Sequence, residues 1–138
     1  MRVIAVDVSY RASGAQETSN RKILIIEDDP DLLGLMRHVM EHEGYRVSCA
    51  GNGAEGIVSN TQEDPDLIIL DLHMPEMDGI ETLRIVRESD DTVLVVILTG
   101  YASPDTIRDA AELNVSEYLS KPFENQELVS VIGNVFKL

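Results

Sequence analysis

Apolar positions along the chain follow two patterns in alternation. Three runs are continuous and of strand length: K-I-L-I-I-E at 22–27, D-L-I-I-L-D at 66–71 and T-V-L-V-V-I-L-T at 92–99. Runs without alternation mark strands buried on both faces, as in a parallel sheet. Two weaker runs, Y-R-V-S-C-A at 45–50 and S-E-Y-L-S at 116–120, mix polar with apolar residues, as sheet edges do. Between the runs, apolar residues recur at helical spacing. Leu32, Leu35, Met36, Val39 and Met40 share one face within 30–43. Asp29 suits the N-cap, Pro30 the first helical position and Gly44 the end. A weaker helix is predicted over 53–60. Ile80, Leu83 and Val86 mark another over 79–88. Ser103 and Pro104 open a fourth, which Asn114 closes in the left-handed conformation. Leu128, Val131, Ile132 and Val135 define the last.

The order is strand then helix, five times over, which predicts an α/β domain with a doubly wound, five-stranded parallel sheet. The first, third and fourth strands have buried character and the second and fifth have edge character. Right-handed crossovers then favour the order 2-1-3-4-5. The chain reverses direction between strands 1 and 3, and ligands bind at such a switch point, outside the carboxyl ends of the strands. The regular pattern begins at Lys22, so the expected domain is 22–138 and residues 1–21 are an N-terminal extension or tail. Within that extension, R-A-S-G-A-Q-E-T-S-N at 11–20 is polar and aperiodic, as a linker is. R-V-I-A-V-D-V-S-Y at 2–10 has the length of a short strand, an extra edge strand or a loose extension.

Composition narrows the function classes. The 138 residues are 43% apolar and 26% charged, which suits one globular domain. A net charge of −14 argues against direct binding to nucleic-acid phosphates, which needs a basic surface. It fits a protein that binds cations or a basic partner, although most of the 25 acidic residues serve only to solvate the surface. No apolar stretch is long enough to span a bilayer, and no secretory signal is evident. The single cysteine, Cys49, permits no internal disulfide, so the cytoplasm is the expected compartment.

One feature of this charge distribution calls for chemistry. In I-I-E-D-D-P, at 25–30, three carboxylates follow a buried strand. Two such charges about 4 Å apart repel by roughly 4 kcal/mol at an effective dielectric near 20. Asp71 ends the third strand and borders the same crevice. Thr99 ends the fourth, and Lys121 follows the fifth. Singly, each has a plain reading: a cap, a β-branched strand residue, a solvated lysine. Jointly, carboxylates, a hydroxyl and an ammonium at one sheet edge suit Mg²⁺-assisted phosphoryl transfer to a carboxylate nucleophile.

The segments E-D-D-P, L-D-L-H-M-P-E-M-D-G, I-L-T-G-Y-A and Y-L-S-K-P-F resemble the receiver domain of two-component response regulators, from about Lys22 to the C-terminus. The resemblance implies the flavodoxin-like (βα)5 fold and a Mg²⁺ cofactor. It implies that Asp71 is the phosphorylated aspartate, Asp28 a direct metal ligand, Glu27 a ligand through water and the His73 backbone carbonyl a further ligand. Thr99 becomes the switch hydroxyl, Lys121 the phosphate-binding lysine, Tyr118 the rotating aromatic, and Pro122 follows a cis peptide. His73 and Tyr101 take positions that tune the lifetime of the phosphorylated state; both are bulky, so slow dephosphorylation is expected. Glu27 replaces the more frequent Asp. N-V-S-E-Y at 114–118 replaces the usual G-A-x-D-Y, so the loop before the fifth strand is expected to differ slightly.

By this resemblance the protein is a phosphoacceptor regulator, not an enzyme acting on a separate substrate. The donor is a histidine kinase or a histidine phosphotransfer protein. The reader is an unidentified downstream protein that contacts the fourth helix, fifth strand and fifth helix. No nucleic acid or membrane is expected as a direct partner. No output domain follows the fifth helix, so a stand-alone receiver is expected, either a free adaptor or a piece of a larger protein. V-S-V-I-G-N-V-F-K-L at 129–138 lacks the charged residues through which DNA-binding relatives dimerise. Two alternatives remain: a phosphorylation-independent interaction module on the same fold, and a Mg²⁺-dependent aspartyl phosphohydrolase. The haloacid-dehalogenase type of hydrolase has a second Asp two residues after the nucleophile, where this chain has His73.

Overall fold

The structure is a computed structural model and describes residues 21–101 and 103–137. Strands and helices alternate as β1 (Lys22–Ile26), α1 (Pro30–His42), β2 (Arg46–Ala50), α2 (Gly53–Glu63), β3 (Leu67–Asp71), α3 (Gly79–Ser89), β4 (Leu94–Thr99), α4 (Pro104–Glu112), β5 (Glu117–Ser120) and α5 (Asn125–Lys137). All strand pairs are parallel and the order is β2-β1-β3-β4-β5, as the hydrophobic pattern predicts. The strand candidate at 2–10 and the linker at 11–20 lie outside the described residues.

The continuous apolar runs have a direct physical cause. Successive strand residues face opposite sides of a sheet, and here both sides are covered. Ile23, Ile25, Leu67, Ile69, Val96 and Leu98 pack with Met36 and Met40 of α1 and Leu128 and Ile132 of α5. Leu24, Ile26, Ile68, Leu70, Val95 and Ile97 pack on the other side with Leu83 and Val86 of α3. Each fully buried side chain of this size contributes roughly 1.5–3 kcal/mol. The two edge strands, β2 and β5, each keep one buried residue, Ala50 and Leu119.

Caps set most helix boundaries. Asp29 accepts from the Asp31 amide and caps α1, with Pro30 at its start. Beyond its end, Gly44 takes a φ of 99°. α2 runs to Glu63, three residues past the predicted end. Its last turn, Thr61–Gln62–Glu63, is exposed and leaves no apolar mark in the sequence. β4 starts at Leu94 rather than Thr92. The Asp90 carboxylate accepts from the Thr92 and Val93 amides, both at 3.0 Å, and turns the chain before the strand begins. Burial alone would raise this carboxyl, but these hydrogen bonds, with those from Asn60 and the Thr92 hydroxyl, hold it below its ordinary range.

α4 is the least embedded helix, with Ala110 its one buried residue. Polar contacts from α3 hold its C-terminal end. The Arg87 guanidinium donates to the carbonyls of Leu113 at 2.8 Å, Asn114 at 3.1 Å and Asp90 at 3.1 Å. Asn114 has a φ of 62°, the left-handed closure predicted for it. Among the described residues, no helix is long and apolar enough to cross a membrane.

Candidate phosphoacceptor and metal site

Register brings the carboxylates together. Ile26 pairs with Leu70, so the next residues of the two strands, Glu27 and Asp71, emerge side by side at the carboxyl edge. Asp71 in turn pairs with Leu98, one residue before Thr99, and Thr99 pairs with Ser120, one residue before Lys121. Ligand oxygens of Glu27, Asp28 and Asp71 lie within 4.8 Å of one another. Glu27 and Asp71 are each 1% exposed, while Asp28 faces solvent.

Lys121 reaches into this group. Its Nζ lies 3.0 Å from Glu27 Oε1 and 3.2 Å from Asp71 Oδ2. The contact to Oε1 lacks hydrogen-bond alignment, so that buried oxygen has a charge nearby but no directed donor. Glu27 Oε2 accepts from the Asp29 amide at 3.1 Å. Burial pushes the Glu27 carboxyl up to about 7; the Asp29 amide and Lys121 oppose the rise, and the Asp71 charge adds to it. Burial by itself would lower the Lys121 ammonium, yet the Glu27 and Asp71 carboxylates outweigh burial and hold it above the ordinary lysine value.

This donor set fits Mg²⁺, which takes hard oxygen ligands, uses one or two carboxylates and keeps several waters. Three carboxylates meet one ammonium, and one buried carboxylate oxygen lacks a directed partner. A divalent cation here offsets repulsion that the chain leaves in place.

The remaining predicted residues lie around this centre in three different arrangements. His73 donates its backbone N–H to Asp71 Oδ1 at 3.1 Å, but its ring turns away and bonds the Tyr101 carbonyl through Nε2 at 2.9 Å. The Thr99 hydroxyl, 7% exposed, donates to that same carbonyl at 2.7 Å and accepts from the Tyr101 amide at 3.1 Å, so it does not face Asp71. Tyr118 is half-buried against the apolar layer on the α3 side of the sheet, and its hydroxyl makes a long 3.4 Å contact to the Ile107 carbonyl. The Lys121–Pro122 peptide is cis.

Sequence reasoning passed over the role of Gly79. A Cβ there would sit 2.5 Å from the Asp71 carbonyl oxygen and 2.7 Å from Leu72 Cα. Asp78 caps α3 by accepting from the Glu81 amide, and the Gly79 amide donates to the Leu72 carbonyl at 3.0 Å. The Asp-Gly pair thereby seats the start of α3 against the backbone that carries Asp71. The signal was present in M-D-G, but the close approach is a tertiary fact.

Comparison with known proteins identifies the family of this fold. The family described as Response regulator receiver domain matches residues 23–133. The chain is 38% identical over 119 residues to sporulation initiation phosphotransferase F of Bacillus subtilis, an alignment covering 86% of this chain and 96% of that protein. It is 34% identical to the transcriptional regulatory protein YkoG of the same organism, over 80% of this chain and 48% of that longer protein. In three dimensions it superposes on the chemotaxis protein CheY4 of Vibrio cholerae with a TM-score of 0.79 and 26% identity, covering 83% of this chain and 98% of that one. A receiver domain from Clostridium thermocellum gives a TM-score of 0.78 at 31% identity, covering 85% and 94%. Matched in sequence over residues 23–133 and in overall fold by solved receiver domains, the chain belongs to the receiver domain family of two-component response regulators.

Proposed function

We propose that Asp71 is the phosphoacceptor and that Glu27, Asp28, Asp71 and the His73 backbone carbonyl hold Mg²⁺ beside it. The observation that carries this reading is the convergence of three carboxylates and Lys121 at the switch point of the sheet, with Asp71 ending a wholly buried strand. An Asp71 carboxylate oxygen attacks phosphorus, the bond to the donor's leaving atom breaks, and the leaving group takes the electron pair. When bound, Mg²⁺ supplies positive charge to the transferring phosphoryl oxygens. The Lys121 ammonium, already at Asp71 Oδ2, stabilises the same oxygens, and the His73 amide keeps the carboxylate oriented.

Receiver domains interact with histidine kinases or histidine phosphotransfer proteins, and a donor of that class in the cytoplasm is our reading here. The phosphorylated form is read on the surface of α4, β5 and α5. A phosphoryl group on Asp71 offers the Thr99 hydroxyl a charged acceptor in place of the Tyr101 carbonyl, and charge-assisted hydrogen bonds are the stronger ones. Movement of Thr99 makes room for the Tyr118 ring. The site chemistry favours this over a phosphorylation-independent module, and His73 in place of a second Asp disfavours a phosphohydrolase.

The test is intact mass after incubation with a small phosphoryl donor and Mg²⁺. The wild type gains one phosphoryl group and Asp71→Asn gains none. Equal labelling of the variant removes Asp71 from this role.

A further inference from the structure

We infer that the His73 imidazole is a positioning residue that latches the β4–α4 loop in the resting state, through the main-chain carbonyl of Tyr101. The inference rests on the phosphoacceptor reading above and adds to it the group that opposes the switch.

Tyr101 O accepts two hydrogen bonds, from Thr99 Oγ1 at 2.7 Å and from His73 Nε2 at 2.9 Å. A carbonyl only accepts, so the ring carries a proton on Nε2. The Tyr101 amide also donates to Thr99 Oγ1 at 3.1 Å. The Tyr101 side chain is 73% exposed and adds no packing. α4, which follows the loop, buries Ala110 alone. Between the β3–α3 loop and α4 lies an open pocket of about 260 Å³ lined by Leu72, His73, Met74, Asp78, Ile80 and Thr106. Among the described residues, Tyr101 is thus held by two hydrogen bonds with Thr99 and one from His73, and the His73 bond is the one that comes from another element.

The consequences follow from which bonds the switch breaks. When Thr99 turns to a phosphoryl group, its hydroxyl gives up both the Tyr101 carbonyl and the Tyr101 amide. The His73 bond then alone ties Tyr101 to the β3–α3 loop. It opposes displacement of the loop and raises the ligand concentration needed to drive it. This acts through the Tyr101 main chain, not through access of water to the phosphoryl group.

The test uses beryllofluoride with Mg²⁺ as a phosphoryl stand-in, titrated into the intact chain and followed by amide NMR. Three variants separate the latch from bulk: His73→Ala removes both, His73→Leu keeps bulk without a donor, and His73→Gln keeps an N–H donor. Losing one such hydrogen bond should lower the half-saturating beryllofluoride concentration about three- to tenfold in the Ala and Leu variants. Their Thr99, Tyr101 and Tyr118 amides should already lie part-way toward the bound positions without ligand. The Gln variant should track the wild type. Equal half-saturation in all four proteins, or a Gln variant that behaves like Leu, overturns the latch while leaving Asp71 as acceptor. A wild type that does not bind beryllofluoride overturns both readings.

Discussion

Glu27, Asp28 and Asp71 do not share the electrostatic load equally. Asp28 faces water, so its repulsion is screened, while Glu27 and Asp71 are buried and share one ammonium. Asp28→Asn should therefore stabilise the metal-free protein only modestly, by about 1 kcal/mol, and remove most of the stabilisation that Mg²⁺ gives by binding the native state. Urea unfolding of both proteins in EDTA and in millimolar Mg²⁺ measures each effect; a less stable variant with an unchanged Mg²⁺ response makes Asp28 a hydrogen-bonding residue instead. Glu27 adds a pH dependence. Its carboxyl titrates near 7 in the fold, against 4.5 as its ordinary value. Between those values the folded protein keeps a proton that the unfolded chain has lost, so this group's contribution to metal-free stability is full below 4.5 and is lost as pH rises through 7. Mg²⁺ must displace that proton, so its apparent affinity should fall about tenfold from pH 8 to pH 6. Magnesium titrations at the two pH values check this, and Glu27→Gln should flatten the dependence.

Helices here differ in how much their glycines matter, and the difference is set by what lies opposite. Gly79 opens α3 against the Asp71 and Leu72 backbone, which has nowhere to move. Gly79→Ala should destabilise by about 2–3 kcal/mol and perturb the Asp71 amide. Gly34 sits inside α1 with open space around it. Gly34→Ala should stabilise by roughly 0.5–1 kcal/mol, because alanine is the better helix former. Thermal unfolding of the two variants side by side decides the point; similar effects from both would mean the close approach at Gly79 is relieved. α4 stands apart from the other elements because two carbonyls accepting from Arg87, those of Leu113 and Asn114, anchor its C-terminal end where apolar packing is thin.

Among the described residues, the sheet separates two apolar layers and gathers the Glu27–Asp28–Asp71 cluster at one edge. On the function proposed above, a signal from Asp71 travels along that edge to reach α4 and β5, and Thr99 lies between them. Thr99→Ala should still accept a phosphoryl group, since Lys121 and the carboxylates are intact. It should lose at least half of the amide shifts that phosphorylation produces at Tyr118 and along α4. The full wild-type NMR response in the variant would remove Thr99 from the pathway.

The apolar runs at 22–27, 66–71 and 92–99 by themselves determined the doubly wound sheet, because only strands covered on both faces lack polar alternation. Strand ends mark where loops begin, so the placement of Glu27, Asp71, Thr99 and Lys121 along one sheet edge was legible as well. Helix and strand ends were less so: the exposed last turn of α2 and the Asp90 turn before β4 rest on capping and hydrogen bonds that leave no apolar period. What only the tertiary structure decided is orientation. The sequence places His73 and Thr99 beside the site, yet both point their side chains at the Tyr101 carbonyl. Neither periodicity nor motif spacing specifies a rotamer; that depends on which acceptors the fold brings within 3 Å. The same holds for Lys121, whose reach to both Glu27 and Asp71 comes from a register between strands far apart in the chain.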